Sequence, residues 1–366
     1  MRNESLDHGV GYQREPEPDP ETARKWIAAY FDESLESIYG VIHRPQFEAR
    51  IRRHFASSLN DDDNDPAWYA LRNAVYATGC RYVLSDPQQP QSFLAARSQS
   101  WKYYENALSV HTDLLYTKTN LTSIQALIIM AFFAEALGSP TLEFILVLNA
   151  TRLAQLKAMH LEVSKSWNLS EESTMDRYWL WWTLYAYEKH LAFRSGHPST
   201  IDDEDISCPL PQSTKSENPV KAEFCLGIIK HSQLCSQVQK RLWTVKALRQ
   251  SPKETVAVVE DLQRQLEKWH QSLPAGFRQA APFKNLELPP DFHFYHGIYY
   301  HFAYNAVQIA INTALCYPWV RAGHRDLADS NIQRQQRLCL VRVAEASRSI
   351  ITATQRLDVN ATSPVS

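Results

Sequence analysis

Apolar residues along most of this chain recur with the spacing of a helix face. Leu121, Ile124, Leu127, Ile128, Ala131, Ala134 and Leu137 stand three or four residues apart, and Leu142, Ile145, Leu146, Leu153, Leu156 and Met159 resume the pattern downstream. Between the two stripes stands Gly138-Ser139-Pro140. Gly suits the left-handed residue that ends a helix, while Ser caps the next helix and Pro fits its first position, so a tight helical hairpin is predicted.

Two more helix starts are legible. Ser170 is followed by Glu171 and Glu172, whose charges favour the positive end of a helix dipole. That helix carries Tyr178, Trp181, Trp182 and Tyr185 and is predicted to run to Arg194. Ser251-Pro252-Lys253-Glu254 combines a capping Ser, a Pro at the first position and the Glu of a capping box. Its body, with Val256, Val259, Leu262, Leu266 and Trp269, is amphipathic and ends before Pro274. Asn-Gly and Asp-Gly turns are missing, as is sustained strict alternation. The predicted fold class is all-α, a multi-helix bundle or a stack of helical hairpins.

Breakers set the expected boundaries. Residues 1–20 are rich in Pro and acids and poor in apolar side chains, and 360–366 are similar, so both ends are expected to be loose. The polar stretch 212–219 reads as a linker between a first half, 21–211, and a second helical half, 220–359.

Composition narrows the function. An apolar content of 44% with 10 Gly describes a globular chain. Lys and Arg total 38 against 40 Asp and Glu, a net charge of -2, which supplies no bulk field for a polyanion. The longest apolar run, Ala126 to Ala134, falls well short of the ~20 residues of a membrane span. The first residues lack the apolar core of an export signal, so export is not indicated and a cytoplasmic location is expected unless a resemblance implies another compartment. The 6 Cys have no Cys-x-x-Cys spacing, which predicts mostly buried, inert thiols and no zinc site built from Cys alone.

The conspicuous polar groups point to no catalyst. Asp202-Asp203-Glu204-Asp205 lacks the alternation and Gly of a calcium loop and reads as a solvated or helix-capping loop. His293, His296 and His301 fall within about 140° of a helix, without a carboxylate or Cys beside them to complete a metal site. Ser195-Gly196-His197 is no nucleophile elbow and suits the end of a helix. Arg50-Ile51-Arg52-Arg53-His54 reads as a solvated face in preference to an import or phosphate signal. The stripe Tyr178, Trp181, Trp182 and Tyr185 reads first as core, with the floor of an apolar ligand pocket as the alternative. Phosphate-cradling, dinucleotide and His-Glu-x-x-His motifs are absent, so no catalytic residue and no metal ligand is assigned.

The segment Phe31 to Phe47 reads as an amphipathic helix running into a His-Arg-Pro turn, and it is the first of several blocks that carry a resemblance. In order they are FDESLESIYGVIHRPQF (31–47), Ser100-Trp101-Lys-Tyr-Tyr-Glu-Asn-Ala-Leu108, Ala154-Gln-Leu-Lys-Ala-Met-His160, Ser166-Trp-Asn-Leu-Ser170, Tyr187-Glu-Lys-His190, Arg194-Ser-Gly-His-Pro198, Ile201-Asp-Asp-Glu-Asp-Ile206 and Pro209-Leu-Pro211. Their order and spacing resemble the middle homology region of fungal zinc-binuclear-cluster (Zn2Cys6) transcription factors, over about residues 24 to 356. Tyr304-Asn-Ala and Cys316-Tyr-Pro-Trp319 resemble the family's later helix. The positions that carry the motif are His43, Arg44, Pro45, Trp101, Arg194, Ser195, Gly196, Pro198, Ile201, Asp202, Asp203, Asp205 and Ile206.

The resemblance implies an all-α regulatory domain of a nuclear transcription regulator, usually C-terminal to the DNA-binding cluster. Its expected partners are other transcription regulators, a small-molecule effector, or a second subunit in a homo- or heterodimer. That cluster needs two Cys-x-x-Cys pairs and a basic stretch, which this sequence does not supply. No cofactor is therefore expected in this chain, zinc only with an upstream Zn2Cys6 module, and no sequence-specific DNA binding by the chain itself. The competing reading is a helical scaffold reused as a metabolite-binding protein or enzyme with a pocket between its helices. Within Arg194 to Pro211, Ile201 and Ile206 are expected to anchor the loop while the acids face water or cap a helix.

Overall fold

In the computed structural model, residues 13–56, 65–86, 88–89, 91–117, 119–211, 219–278, 288–289, 292, 294–316 and 330–355 are described. Among them the regular structure is helical, with no strand. The chain sorts into two units. The first holds residues 13–184 and 204–211 and the second 185–203 and 219–355, so the stretch 185–203 clusters with residues beyond the polar linker. The linker itself, up to residue 218, lies outside the described residues, as do residues 1–12, His293, 317–329 and the C-terminal tail.

The first unit is built around α3, Pro66–Leu84, whose residues from Ala67 to Arg81 are all buried except the half-buried Tyr69. Against it pack α1, Pro20–Glu33, α4, Ser92–Leu108, and α6, Leu121–Ala136. The short helices α2, Arg44–Ala56, and α5, His111–Tyr116, complete this part, and α7, Pro140–Leu156, lies against α6. Gly79 permits the closest approach. A Cβ at that position would sit 1.9 Å from the carbonyl oxygen of Trp26, so the backbone of α1 rests directly on α3. Trp26 meets Tyr103 edge-on at 5.1 Å and Tyr76 at 6.3 Å.

The hairpin at 138–140 forms. Gly138 is left-handed at φ 68°, and Ser139 and Pro140 open α7, although the Ser139 hydroxyl makes no capping bond. The two stripes differ from their prediction. α6 is buried nearly all round because it lies between α3 and α7. In α7, Leu146 and Leu153 are buried but Ile145 and Leu156 are exposed.

Two further expectations are corrected. The segment before residue 20 is tied down from Glu15 onward, because its acids find buried partners. The Glu17 carboxylate accepts from Arg72 Nη2 at 3.2 Å and from the Tyr76 hydroxyl at 2.8 Å, while Asn106 exchanges two hydrogen bonds with the Glu15 backbone. Asp19 then caps α1 through the N–H groups of Glu21 and Thr22. The segment 31–47 is also not one helix ending in a turn. α1 ends at Glu33, a 3-10 stretch spans Leu35–Tyr39, and His43-Arg44-Pro45 opens α2.

The second unit packs α9, Pro219–Val238, α10, Pro252–Ser272, α11, Phe294–Thr313, and α12, Ser330–Thr354. α10 carries the full capping box at Ser251 and Glu254 and buries Val256, Val259, Leu262, Leu266 and Trp269 as predicted. Trp269 Nε1 donates to the Gly227 carbonyl at 2.9 Å, and Phe224, Phe277, Phe292 and Tyr300 cluster edge to face. The long helix α8, Glu171–Ser195, begins where Ser170 Oγ accepts from the Ser173 N–H at 3.1 Å. Residues to Leu184 belong to the first unit and those from Tyr185 to the second.

Among the described residues, no helix is long and apolar enough to cross a membrane. All six cysteines are free thiols, and burial pushes Cys80, Cys208, Cys225 and Cys339 up to about 12, which makes them unreactive.

Candidate functional site

The family-like residues 194–203 follow directly from the end of α8. Gly196 takes the left-handed conformation at φ 71°, which a side chain would strain, and reverses the chain after Ser195. Ser195 Oγ donates to the Leu191 carbonyl at 2.7 Å, and Gln239 Nε2 donates to the His197 carbonyl at 2.8 Å. Arg194, Ser195 and Pro198 are exposed.

Two adjacent charged residues of α8, Glu188 and Lys189, hold what comes next. Both are 3% exposed. The Glu188 carboxylate accepts from Thr200 N–H at 2.5 Å, Thr200 Oγ1 at 3.0 Å and Ser199 Oγ at 2.8 Å. Lys189 Nζ donates to the Ile201 carbonyl at 2.7 Å and to Ser236 Oγ at 3.0 Å, and lies 3.1 Å from Asp203 Oδ1. Asp203 Oδ1 accepts from the Tyr185 hydroxyl at 2.8 Å, and Oδ2 accepts from Ser236. Burial, and then the Asp203 carboxylate, hold the Tyr185 phenol far above its ordinary range, so it stays a donor.

The arrangement satisfies a buried charge pair from both sides. A lysine taken out of water is costly unless a counter-charge and hydrogen bonds replace the lost hydration, and Asp203, Ser236 and the Ile201 carbonyl supply them. The polar ends of Lys189, Asp203, Tyr185 and Ser236 are spent on one another and on the Ile201 carbonyl. Together they fix loop 196–203, with Ile201 buried beneath it at 4% exposure.

The loop's second half belongs to the first unit. The Ser207 and Cys208 N–H groups both donate to the His160 carbonyl at 3.0 Å, and Trp182 Nε1 donates to the Pro209 carbonyl at 2.9 Å. Cys208 is buried, whereas Ile206 is only half-buried. The second anchor of the segment is therefore Cys208, not Ile206. Nor do all the acids face water. Asp202 meets Lys240 at the surface at 3.5 Å and Asp205 is exposed, but Asp203 pairs inward.

The remaining motif positions are built into the first unit. Arg44, at the start of α2, pairs with Asp32 and Glu48 and covers the Phe31 ring, with its Cζ 5.3 Å from the centroid. His43 and Trp101 are half-buried and Pro45 is exposed, and none of these joins the Lys189 network. Tyr178, Trp181, Trp182 and Tyr185 are all buried, and three of them spend their polar ends on Val163, Pro209 and Asp203.

In the basic run on α2, Arg50 lies over the Trp68 ring at 4.4 Å and pairs with Asp65, whereas Arg52 and Arg53 are exposed. His296 and His301 are buried in α11, and the Ser349 hydroxyl lies 3.1 Å from His301 Nε2. Among the described residues, no three His, Cys, Asp or Glu gather as metal ligands, and the Cys spacing does not fit a zinc cluster.

The sequence showed Glu188 and Lys189 only inside the block Tyr187–His190, with no role assigned, and did not single out Ser236. The available signal was a pair of adjacent charges inside Trp179 to Ala192, an otherwise mostly apolar stretch of helix, since charged residues are buried only when paired.

A family model for the fungal specific transcription factor domain matches residues 27–271. The ABC-transporter-regulating transcription factor of Aspergillus oryzae is 29% identical over 298 residues, covering 79% of this chain and 32% of that protein. The protein of the same name from Aspergillus fumigatus is 28% identical, with the same coverage. The Fusaridione A cluster transcription factor of Fusarium heterosporum is 24% identical over 332 residues, 88% of this chain and 60% of that one. The chain thus spans about a third of the length of the first two relatives. No solved structure matches it. Because the family match covers more than half of its residues, the chain belongs to the fungal specific transcription factor domain family.

Proposed function

We propose that the chain acts as the regulatory part of a nuclear transcription regulator, working through protein or small-molecule contacts and not through catalysis. The observation that carries this reading is the family match over residues 27–271, backed by relatives that are named as transcription factors. It favours regulation over a scaffold reused for metabolite chemistry.

DNA reading is assigned to a part other than the chain itself. With a net charge of -2, the chain supplies few phosphate contacts, and phosphate contacts dominate affinity for nucleic acid. The pinned loop 196–203 presents exposed Pro198 and Asp202 on a fixed backbone, beside exposed Arg194 at the end of α8, which suits a surface read by a partner.

The test fuses residues 1–366 to an unrelated DNA-binding module in a fungal host and measures a reporter carrying that module's site. Expression that departs from the module alone, in either direction, supports regulation. A folded, nuclear fusion that leaves expression unchanged under all growth conditions overturns it. Genes for ABC transporters are the first native targets to examine, because two relatives are named for regulating them. In the same experiment a fluorescent tag reports nuclear or cytoplasmic location.

A further inference from the structure

One buried charge in the first unit is left without a partner. Arg81, in the last turn of α3, is 4% exposed, yet among the described residues it makes no hydrogen bond and no ion pair. Its Nε is fully buried and unpaired. The contrast with Arg72 on the same helix is direct, since Arg72 is equally buried but is held by Glu17.

Two hydroxyls share the condition. Thr78 Oγ1 and Ser85 Oγ are buried without partners; Thr78 stands three residues before Arg81 on α3, and Ser85 is the extended residue that follows the helix. A helical Thr ordinarily returns its hydroxyl to the carbonyl four residues back, and Thr78 does not. The face of the Phe133 ring, on α6, lies 5.6 Å from the Arg81 guanidinium carbon.

The compensation present is too weak for a full buried charge. A ring face attracts a cation without satisfying its N–H groups, and the C-terminal end of α3 offers only a partial negative charge. Glu36, in the 3-10 stretch, lies near enough to act electrostatically but forms no ion pair with Arg81. Burial, more than any neighbour, raises the Glu36 carboxyl toward its protonated form.

We propose that Arg81, Thr78 and Ser85 form a binding site for a small oxyanion, a carboxylate or phosphate group of a metabolite, with Phe133 packing beside its apolar part. Guanidinium and hydroxyl donors match a planar carboxylate or a phosphate, and charge-assisted bonds of this kind are the strong ones. The site lies at the C-terminal end of α3, whose residues from Ala67 to Arg81 are buried except Tyr69, so occupancy would couple to the stability of the first unit. This inference supplies the effector class for the regulatory reading, but its test measures binding alone and stands whether or not transcription responds.

The experiment compares thermal melting of the full chain with increasing sodium acetate or sodium phosphate against sodium chloride at matched ionic strength. The variants are Arg81→Met, Arg81→Lys and Thr78→Val. Excluded anions raise the melting temperature of any protein without saturating, so the readout is the saturable rise that wild type has and Arg81→Met lacks. The expected result is a loss of at least about tenfold in apparent affinity for Arg81→Met, with a smaller loss for Thr78→Val. Arg81→Met should also melt no lower than wild type in chloride, because the apolar chain replaces an unpaired charge. A response to acetate without one to phosphate assigns a carboxylate, and the reverse assigns a phosphate. Equal anion responses in wild type and Arg81→Met overturn the proposal. So does an Arg81→Met variant that loses stability in chloride and responds to no anion, which would make Arg81 a structural cation.

Discussion

Lys189 Nζ lies 3.1 Å from Asp203 Oδ1, joining the last turns of a long aromatic helix to the acidic loop that follows it. Asp203→Asn should therefore destabilise the second unit more than any other single change in the acidic run. Removing one member of a buried pair costs about 3–5 kcal/mol, and the 34% exposure of Asp203 lowers this to about 1–3 kcal/mol. Asp202→Asn and Asp205→Asn should stay within about 0.5 kcal/mol. Urea unfolding of the three variants checks the order, and equal losses would show that the carboxylates share one solvated role.

Glu188→Gln keeps the volume but weakens three hydrogen bonds to Ser199 and Thr200. The expected loss is about 1–2 kcal/mol, concentrated in local opening of loop 196–203. Limited proteolysis should then cut this loop faster than in wild type. Unchanged cleavage would mean that the loop is held without Glu188.

Ile201 and Ile206 should no longer behave alike. Burying a charge at the 4% exposed Ile201 position should cost about 3 kcal/mol or more, whereas Ile206→Asp should cost about 1 kcal/mol. Thermal melts of the two variants decide this, and a larger drop for Ile206→Asp would reverse the assignment of anchors.

The close approach at Gly79 admits no side chain. Gly79→Ala places a methyl group 1.9 Å from the Trp26 carbonyl oxygen, so α1 must shift, at a cost of about 1–3 kcal/mol. Because the obstacle is backbone, trimming the Trp26 side chain should not rescue the variant. Circular dichroism melts of Gly79→Ala alone and combined with Trp26→Leu make the check.

Acid should weaken the second unit through two imidazoles, the buried His231 and the half-buried His190. Burial, with a smaller contribution from Arg194, depresses His190 to about 4; burial, then His190 itself, depresses His231 to about 3. In the unfolded chain both sit near about 6.5, so from there down to about 4 the unfolded state takes up protons that the folded state refuses. Stability contributed above pH 6.5 is thus lost as pH falls, by up to about 1.4 kcal/mol per pH unit for each group. Urea unfolding at pH 7 and pH 5 should show the drop, and His190→Gln should flatten it. An unchanged slope in that variant would remove His190 as a contributor.

Local chemistry made much of the fold legible from sequence. The capping box at Ser251 and Glu254, the start at Ser170, the break at Gly138-Ser139-Pro140 and the amphipathic face of α10 all formed, because each depends on residues within one or two helical turns. The same locality explains the left-handed Gly196 after Ser195. Family identity was legible for a different reason, since the ordered blocks are themselves a property of the sequence.

Other features depended on partners far along the chain. Glu17 is tied down by Arg72 and Tyr76, more than fifty residues away, so the acidic composition of the N-terminal segment misled. Asp203 turns inward because Ser236 and Lys189 meet it there, and Ser236 reaches the site from a separate helix. Arg81 and Arg72 look equivalent in sequence, yet packing gives a carboxylate to one and none to the other. A short-range pattern sets where helices start, stop and turn an apolar face. Only tertiary packing decides which charge is buried and what neutralises it, because that energy depends on the distance between side chains that the sequence places far apart.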